Sequence, residues 1–252
     1  MIFHFAVFFW TAIFFSWLGY LALHPADPSW GQYAFSILPL VAVSLLAGSR
    51  IAGAFSGASI AVLLSVTAPV LLSFIDQPVE RQAFVALSAL MYYVSLIGAY
   101  RLRHAPNDRT AQSMLNASAM AAMFFFFAGF YGFYLNFSFP LWGLMVLYFL
   151  GAAFVSRETF VDVDRGDESP RVTVYSVLIG LVMGEMAWIS SLWPFGYLTV
   201  GAVSLILFFI AWDVASDAFR KELSLKKAVV RILFFVAVIA VLFASSPWRI
   251  LV

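Results

Sequence analysis

The chain has 252 residues, of which 63% are hydrophobic and 11% are charged, and its formal net charge is +1. Soluble domains carry about 25% charged residues, so this chain has too little polar surface to enclose a soluble core. The small net charge excludes a general attraction to nucleic acid. The absence of cysteine excludes disulfides, thiolate nucleophiles and cysteine metal sites. The composition predicts an all-α protein, a polytopic helical membrane bundle.

Apolar segments recur along the whole chain, each close to the ~20 residues that a helix needs to cross a hydrocarbon layer ~30 Å thick. The first segment lacks a basic start and is too long for the apolar region of a signal peptide, so we expect it to be retained. Nine transmembrane helices are predicted, at about residues 2–23, 33–47, 51–74, 83–101, 115–137, 139–155, 172–193, 198–217 and 230–246. The linkers are too short for a soluble domain, so residues 1–252 are predicted to form a single transmembrane domain.

Basic residues are divided unequally between alternate linkers. One set of linkers contains 12 Lys and Arg residues, whereas the other contains 2, Arg81 and Arg249. Short loops rich in Lys and Arg remain in the cytoplasm, so the first set is predicted to face inward. With nine spans, the N-terminus lies inside and the C-terminus outside. We expect the bundle to lie in a cell membrane, the cytoplasmic membrane of a prokaryote.

The second apolar segment leaves an alternative open. It is short, contains Pro39 and is joined to the third segment by only three residues, 48–50. If this segment were re-entrant, the chain would have eight spans and an external N-terminus, and the charge division would change only from 12 against 2 to 11 against 3. The topology of the first quarter therefore stays open.

Two pairs of glycines with G-x-x-x-G spacing indicate close helix packing. Gly53 and Gly57 lie in the third segment, and Gly180 and Gly184 lie in the seventh. Small residues allow helix backbones to approach closely in lipid, where apolar burial alone does not drive helix association. We therefore expect both pairs to lie at helix–helix contacts.

Glu185 lies among apolar residues of the seventh segment, about eight residues before the predicted outer turn. At 1.5 Å per residue the carboxyl is roughly 12 Å deep, near the middle of the bilayer. A carboxylate there is costly, so we expect Glu185 to be mostly neutral and hydrogen-bonded inside the bundle. The hydroxyl groups expected to bond it belong to Ser65, Thr67, Tyr92, Tyr93 or Tyr131.

Two interpretations of Glu185 remain open. Ionisable groups inside a membrane commonly mark functional sites, so Glu185 is a candidate proton or cation site that couples to substrate movement. Proton relays usually combine several polar groups at one depth, however, and only Glu185 is predicted at this depth. The other interpretation is an interhelical polar contact, either within the chain or with a partner subunit.

Asp213 is the second candidate for a proton, cation or interhelical polar site. It lies roughly 22 Å along the eighth segment, a turn or two from the cytoplasmic edge. Asp213, Asp217 and Lys221 have i, i+4 spacing and share one helix face. Such a ladder of charges leading to water is also typical of a solvated helix end.

Two charged linkers have simpler interpretations. The acidic stretch at residues 162–168 lacks the glycine and glutamate positions of a calcium-binding loop, so we expect a solvated linker and no metal site. A divalent-cation or lipid-headgroup site is the alternative. The basic linker after the eighth segment is predicted to lie against anionic lipid headgroups. Its candidate contact residues are Arg220, Lys221, Lys226 and Lys227.

The sequence lacks H-E-x-x-H, a phosphate-binding glycine-rich loop and an intramembrane lysine, which disfavours zinc, nucleotide and retinal chemistry. No cofactor is expected. We predict a non-enzymatic scaffold, assembly factor or accessory subunit whose partners are the lipid bilayer and other membrane subunits or a second copy, and neither nucleic acid nor nucleotide. The alternatives are a small proton- or cation-coupled transporter centred on Glu185 and, third, a lipid-modifying membrane enzyme.

Overall fold

The structure is a computed structural model that describes residues 2–24, 30–51, 59–105, 108–163, 170–219 and 225–245. Within these ranges the chain forms nine helices, which confirms the all-α prediction. The helices are α1 (Ile2–Leu23), α2 (Trp30–Ile51), α3 (Ser59–Leu72), α4 (Pro78–His104), α5 (Arg109–Asn136), α6 (Leu141–Val163), α7 (Pro170–Ser190), α8 (Tyr197–Phe219) and α9 (Leu225–Ser245).

Six of the described helices, α1 and α4 to α8, are long and apolar enough to cross a membrane. Shorter apolar helical stretches lie in the other three, at Phe35–Ile51, Ser59–Leu72 and Val229–Ser245. A backbone that crosses lipid must satisfy its own hydrogen bonds, as helices do. The helix lengths and compositions therefore indicate an integral membrane protein.

α2 is one continuous helix of 22 residues with Pro39 inside it. α2 extends beyond the predicted segment at residues 33–47, because polar residues at both ends of the segment also adopt the helical conformation. The Ser49 hydroxyl donates to the carbonyl of Leu46 at 3.0 Å. At 1.5 Å per residue α2 is about 33 Å long.

Asp108, the residue before α5, contacts the end of α4 and the start of α5. The Asp108 carboxylate accepts hydrogen bonds from the backbone N–H groups of Thr110 at 2.9 Å and Ala111 at 3.3 Å, which caps α5. The Arg101 guanidinium lies 2.7 Å from the same carboxylate. Partial burial opposes ionisation, but these hydrogen bonds and the Arg101 charge lower the pKa of Asp108 below its ordinary value of 3.8.

The chain divides into two compact units, residues 1–129 and 130–252, with the boundary inside α5. In the first unit α1 packs against α4 and α2, and α3 packs against α2 and α4. The first part of α5 contacts α4, where the Ser118 hydroxyl donates to the carbonyl of Met91 at 3.1 Å. The rings of Phe84 and Phe125 lie 4.8 Å apart at the same contact.

In the second unit α6 and α7 lie along one another, α8 contacts both of them, and α9 contacts α8. Side-chain hydrogen bonds join helices within this unit. The Tyr131 hydroxyl donates to the carbonyl of Ser190 at 2.8 Å. The Trp212 indole N–H donates to the Thr159 hydroxyl at 2.8 Å, which links α8 to α6. The second unit thus holds α7, the helix that carries Glu185, against α5 and α6.

Candidate functional site

Four of the five hydroxyl groups expected to bond Glu185 have other partners: those of Ser65, Thr67, Tyr92 and Tyr131. Ser44, Ser65 and Tyr92 form a buried hydroxyl cluster in the first unit, in which Ser44 donates to the Tyr92 hydroxyl at 3.1 Å. Ser65 donates to the carbonyl of Ala61 at 2.9 Å. Among the described residues none forms a hydrogen bond or an ion pair with Glu185. The predicted hydrogen bonds between these hydroxyl groups and Glu185 are therefore not formed.

Glu185 lies on the exposed face of α7. Because α7 ends at Ser190, Glu185 is five residues from the helix end, which is about 7.5 Å along the axis. The sequence predicted a larger distance between Glu185 and the helix end, because the predicted segment continued to residue 193. The chain instead turns after Ser190, where the N–H of Trp193 bonds the carbonyl of Ser190 at 3.0 Å, and Pro194 follows.

An exposed row of side chains runs along α7 and is called here the α7 stripe. Its members are Val174, Leu178, Leu181, Glu185 and Trp188. The intervals between them are 4, 3, 4 and 3 residues, which keeps them on one side of the helix. Four of the five are large and apolar, so Glu185 is a single carboxyl group in the middle of an apolar surface.

The two predicted packing glycines of α7 lie against α6, away from the α7 stripe. A Cβ atom on Gly180 would lie 2.7 Å from the carbonyl oxygen of Phe149 and 2.9 Å from the Cβ of Ala153. A Cβ atom on Gly184 would lie 3.2 Å from the carbonyl oxygen of Met145. The backbones of α6 and α7 therefore touch at these glycines. Gly53 and Gly57 lie outside the described residues.

Asp213 lies in an ion-pair cluster between α8 and α9. A guanidinium nitrogen of Arg231 donates to carboxylate oxygens of both Asp213 and Asp217, the latter at 2.8 Å. All three side chains are partly buried. The cluster gives Asp213 a cationic partner within the chain, whereas Glu185 has none among the described residues.

Sequence reasoning missed Arg231, which was assigned to the basic linker. A usable signal was present, because Asp213 lies six residues before the end of α8 and Arg231 lies six residues after the start of α9. Antiparallel neighbours with equal distances to a shared loop place these residues at the same depth. Lys221, the predicted continuation of the ladder, lies outside the described residues.

The predicted headgroup contacts are only partly described. Lys226 is exposed in the first turn of α9. Arg220 and Lys221 lie outside the described residues, as does the side chain of Lys227. Their contact with lipid headgroups therefore stays a prediction.

The two acidic sites thus have different chemistry. The Asp213 carboxylate forms an ion pair with Arg231. The Glu185 carboxyl lies on the exposed face of α7, where it can form hydrogen bonds with a group outside the chain. Among the described residues, no group of three or more His, Asp or Glu side chains is placed to hold a metal ion. Comparisons of the chain with protein-family models, curated proteins and solved structures give no match.

Proposed function

We propose that the protein acts through helix contacts inside a membrane, as a non-enzymatic scaffold, assembly factor or accessory subunit. The observation that carries the proposal is the exposed carboxyl of Glu185 in the otherwise apolar α7 stripe. A carboxyl group that faces lipid costs several kcal/mol. A protein partner lowers this cost because it supplies hydrogen-bonding groups that lipid tails lack.

The exposed position of Glu185 favours a contact role over transport. A carboxyl that couples proton uptake to substrate movement must face a path through the protein. In the described residues Glu185 is turned outward, and the other candidate carboxylate, Asp213, is paired with Arg231. We therefore propose that the protein acts through the exposed face of α7.

The proposal includes nine spans, with the N-terminus inside and the C-terminus outside, in a multi-pass protein of a prokaryotic cytoplasmic membrane. The length of α2 supports the nine-span arrangement, because a continuous helix of 22 residues is as long as the ~30 Å hydrocarbon layer is thick. The concentration of Lys and Arg in alternate linkers supports the orientation.

Photo-cross-linking in native membranes tests the contact role. A photoreactive amino acid replaces Leu181, which is 50% exposed in the α7 stripe, or Val236, which is 53% exposed on α9 and serves as the matched control. We expect adducts with protein at position 181 and adducts with lipid at position 236. Lipid adducts alone at both positions would show that the α7 stripe is an ordinary lipid-facing surface and would refute the proposal.

A further inference from the structure

We propose that the α7 stripe binds the α7 stripe of a second copy of this chain, with the two Glu185 carboxyl groups hydrogen-bonded to each other. This inference rests on the proposed function, because it names the partner of the same surface. Three features indicate a second copy: the chemistry of Glu185, the geometry of membrane insertion and the spacing of the α7 stripe.

A carboxylic acid complements a copy of itself. A neutral carboxyl group has one O–H donor and a carbonyl acceptor. Two such groups facing each other form two hydrogen bonds and leave no donor unpaired. A second copy of the chain therefore provides Glu185 with both a hydrogen-bond donor and an acceptor, and no other kind of partner is needed.

Membrane insertion brings the two carboxyl groups to the same depth. Copies inserted in the same direction are related by a twofold axis perpendicular to the membrane. Each residue of α7 then lies at the depth of the same residue in the partner. Glu185 therefore meets Glu185 without any shift in helix register, whereas a different protein would need a polar group at that depth by coincidence.

The spacing of the α7 stripe matches the seam of a parallel helix pair. Intervals of 4, 3, 4 and 3 residues are those of alternating a and d positions in a heptad repeat, and Glu185 then occupies an a position. A single polar residue at an a position specifies register and the number of helices. Exposed Val177, Val182 and Ile189 beside the α7 stripe extend the apolar contact.

α6 holds the α7 stripe in position. The backbone contacts at Gly180 and Gly184 fix one side of α7 against α6, and the α7 stripe lies on the exposed side of the same helix. Because α6 already orients α7, the α7 stripe loses little further freedom on binding, which favours association.

Single-cysteine cross-linking tests the inference directly, because the chain contains no cysteine. Leu181→Cys places a thiol in the α7 stripe, and Val236→Cys is the control at an equally exposed position on α9. Oxidation in native membranes is expected to convert the Leu181→Cys protein to a species of twice the 28.0 kDa chain mass and to leave the Val236→Cys protein monomeric.

The role of the carboxyl is tested in the Leu181→Cys background. Glu185→Gln keeps a carbonyl acceptor and provides N–H donors, so we expect cross-linking to persist. Glu185→Leu removes the hydrogen bonds and is expected to weaken the dimer about threefold to thirtyfold. Equal cross-linking in the Glu185→Leu and parent proteins would overturn the carboxyl pairing, and membrane levels of each variant verify insertion.

The possible failures are distinguishable. If Leu181→Cys gives no dimer and the photoreactive residue at position 181 captures a different protein, the second copy is overturned and the proposed function stands. If the photoreactive residue captures only lipid, both fall. A dimer formed equally well through Leu181→Cys and Val236→Cys would indicate random collision and would also overturn the inference.

Discussion

Replacing Gly180 with alanine tests whether direct backbone contact holds α6 against α7. The added Cβ would lie 2.7 Å from the carbonyl oxygen of Phe149, closer than carbon and oxygen normally approach. To relieve this overlap the two helices must separate by about half an ångström. A gap of that size forfeits roughly a quarter of the dispersion attraction of the atoms concerned.

The magnitude follows from two opposing effects. Overpacking of a tight contact costs about 1–3 kcal/mol and occasionally more. Alanine gains up to about 1 kcal/mol over glycine in helix propensity, which offsets the smaller end of that range. We expect a net loss of up to about 2 kcal/mol in the free energy of unfolding. The loss for Gly184→Ala is smaller, because its Cβ would lie 3.2 Å from the carbonyl oxygen of Met145.

Equilibrium unfolding in mixed detergent, followed by circular dichroism, measures these differences. Gly19→Ala is the matched control, because a Cβ atom at Gly19 in α1 would meet nothing within 4 Å. We expect this control to be as stable as the parent or slightly more stable. If Gly180→Ala and Gly19→Ala are equally stable, the backbone contact does not hold the helices together and the reasoning is refuted.

Three further predictions concern the ion pairs and the topology. Arg231→Gln leaves the Asp213 and Asp217 carboxylates without their cation, so we expect limited proteolysis to cut this variant faster than the parent. Adding Asp213→Asn removes one of the unpaired charges and should restore part of the resistance to proteolysis. Additive effects of the two substitutions would contradict the ion pair. Because the pKa of Asp108 is lowered in the folded chain, its stabilising contribution is complete above the ordinary value of 3.8 and is lost as the pH falls through the lowered value. Hydrogen exchange at the start of α5 should show this loss in the parent and not in Asp108→Asn. Finally, an impermeant maleimide should label Ser191→Cys from outside intact cells and Ser113→Cys only after permeabilisation; the reverse pattern would invert the proposed orientation.

The ends of the helices differ from the ends of the apolar segments in the sequence. The apolar segment around α4 predicted residues 83–101, but the helix runs from Pro78 to His104. Proline is favoured in the first turn because its missing N–H has no partner there in any case, and charged residues continue a helix as readily as apolar ones. Hydropathy therefore locates the part of a helix inside lipid, and capping residues such as Asp108 determine where the helix begins.

Hydrophobic periodicity does not predict which side of α7 carries Glu185. α7 is apolar around most of its circumference, so hydrophobic periodicity does not separate an inner face from an outer one. The glycines carried a usable signal: Gly180 and Gly184 mark the face toward α6, and Glu185 is one residue, or about 100°, around the helix from Gly184.

The sequence by itself determined the helical class and the order of the nine described helices. It did so because a long apolar run can cross lipid only if its backbone forms its own hydrogen bonds, which is a local requirement. Only the tertiary structure decided that Glu185 faces outward and that Asp213 pairs with Arg231. These relations depend on which helices become neighbours and on how each is rotated about its axis, and in an apolar bundle those choices are made by the packing of side chains distant in sequence.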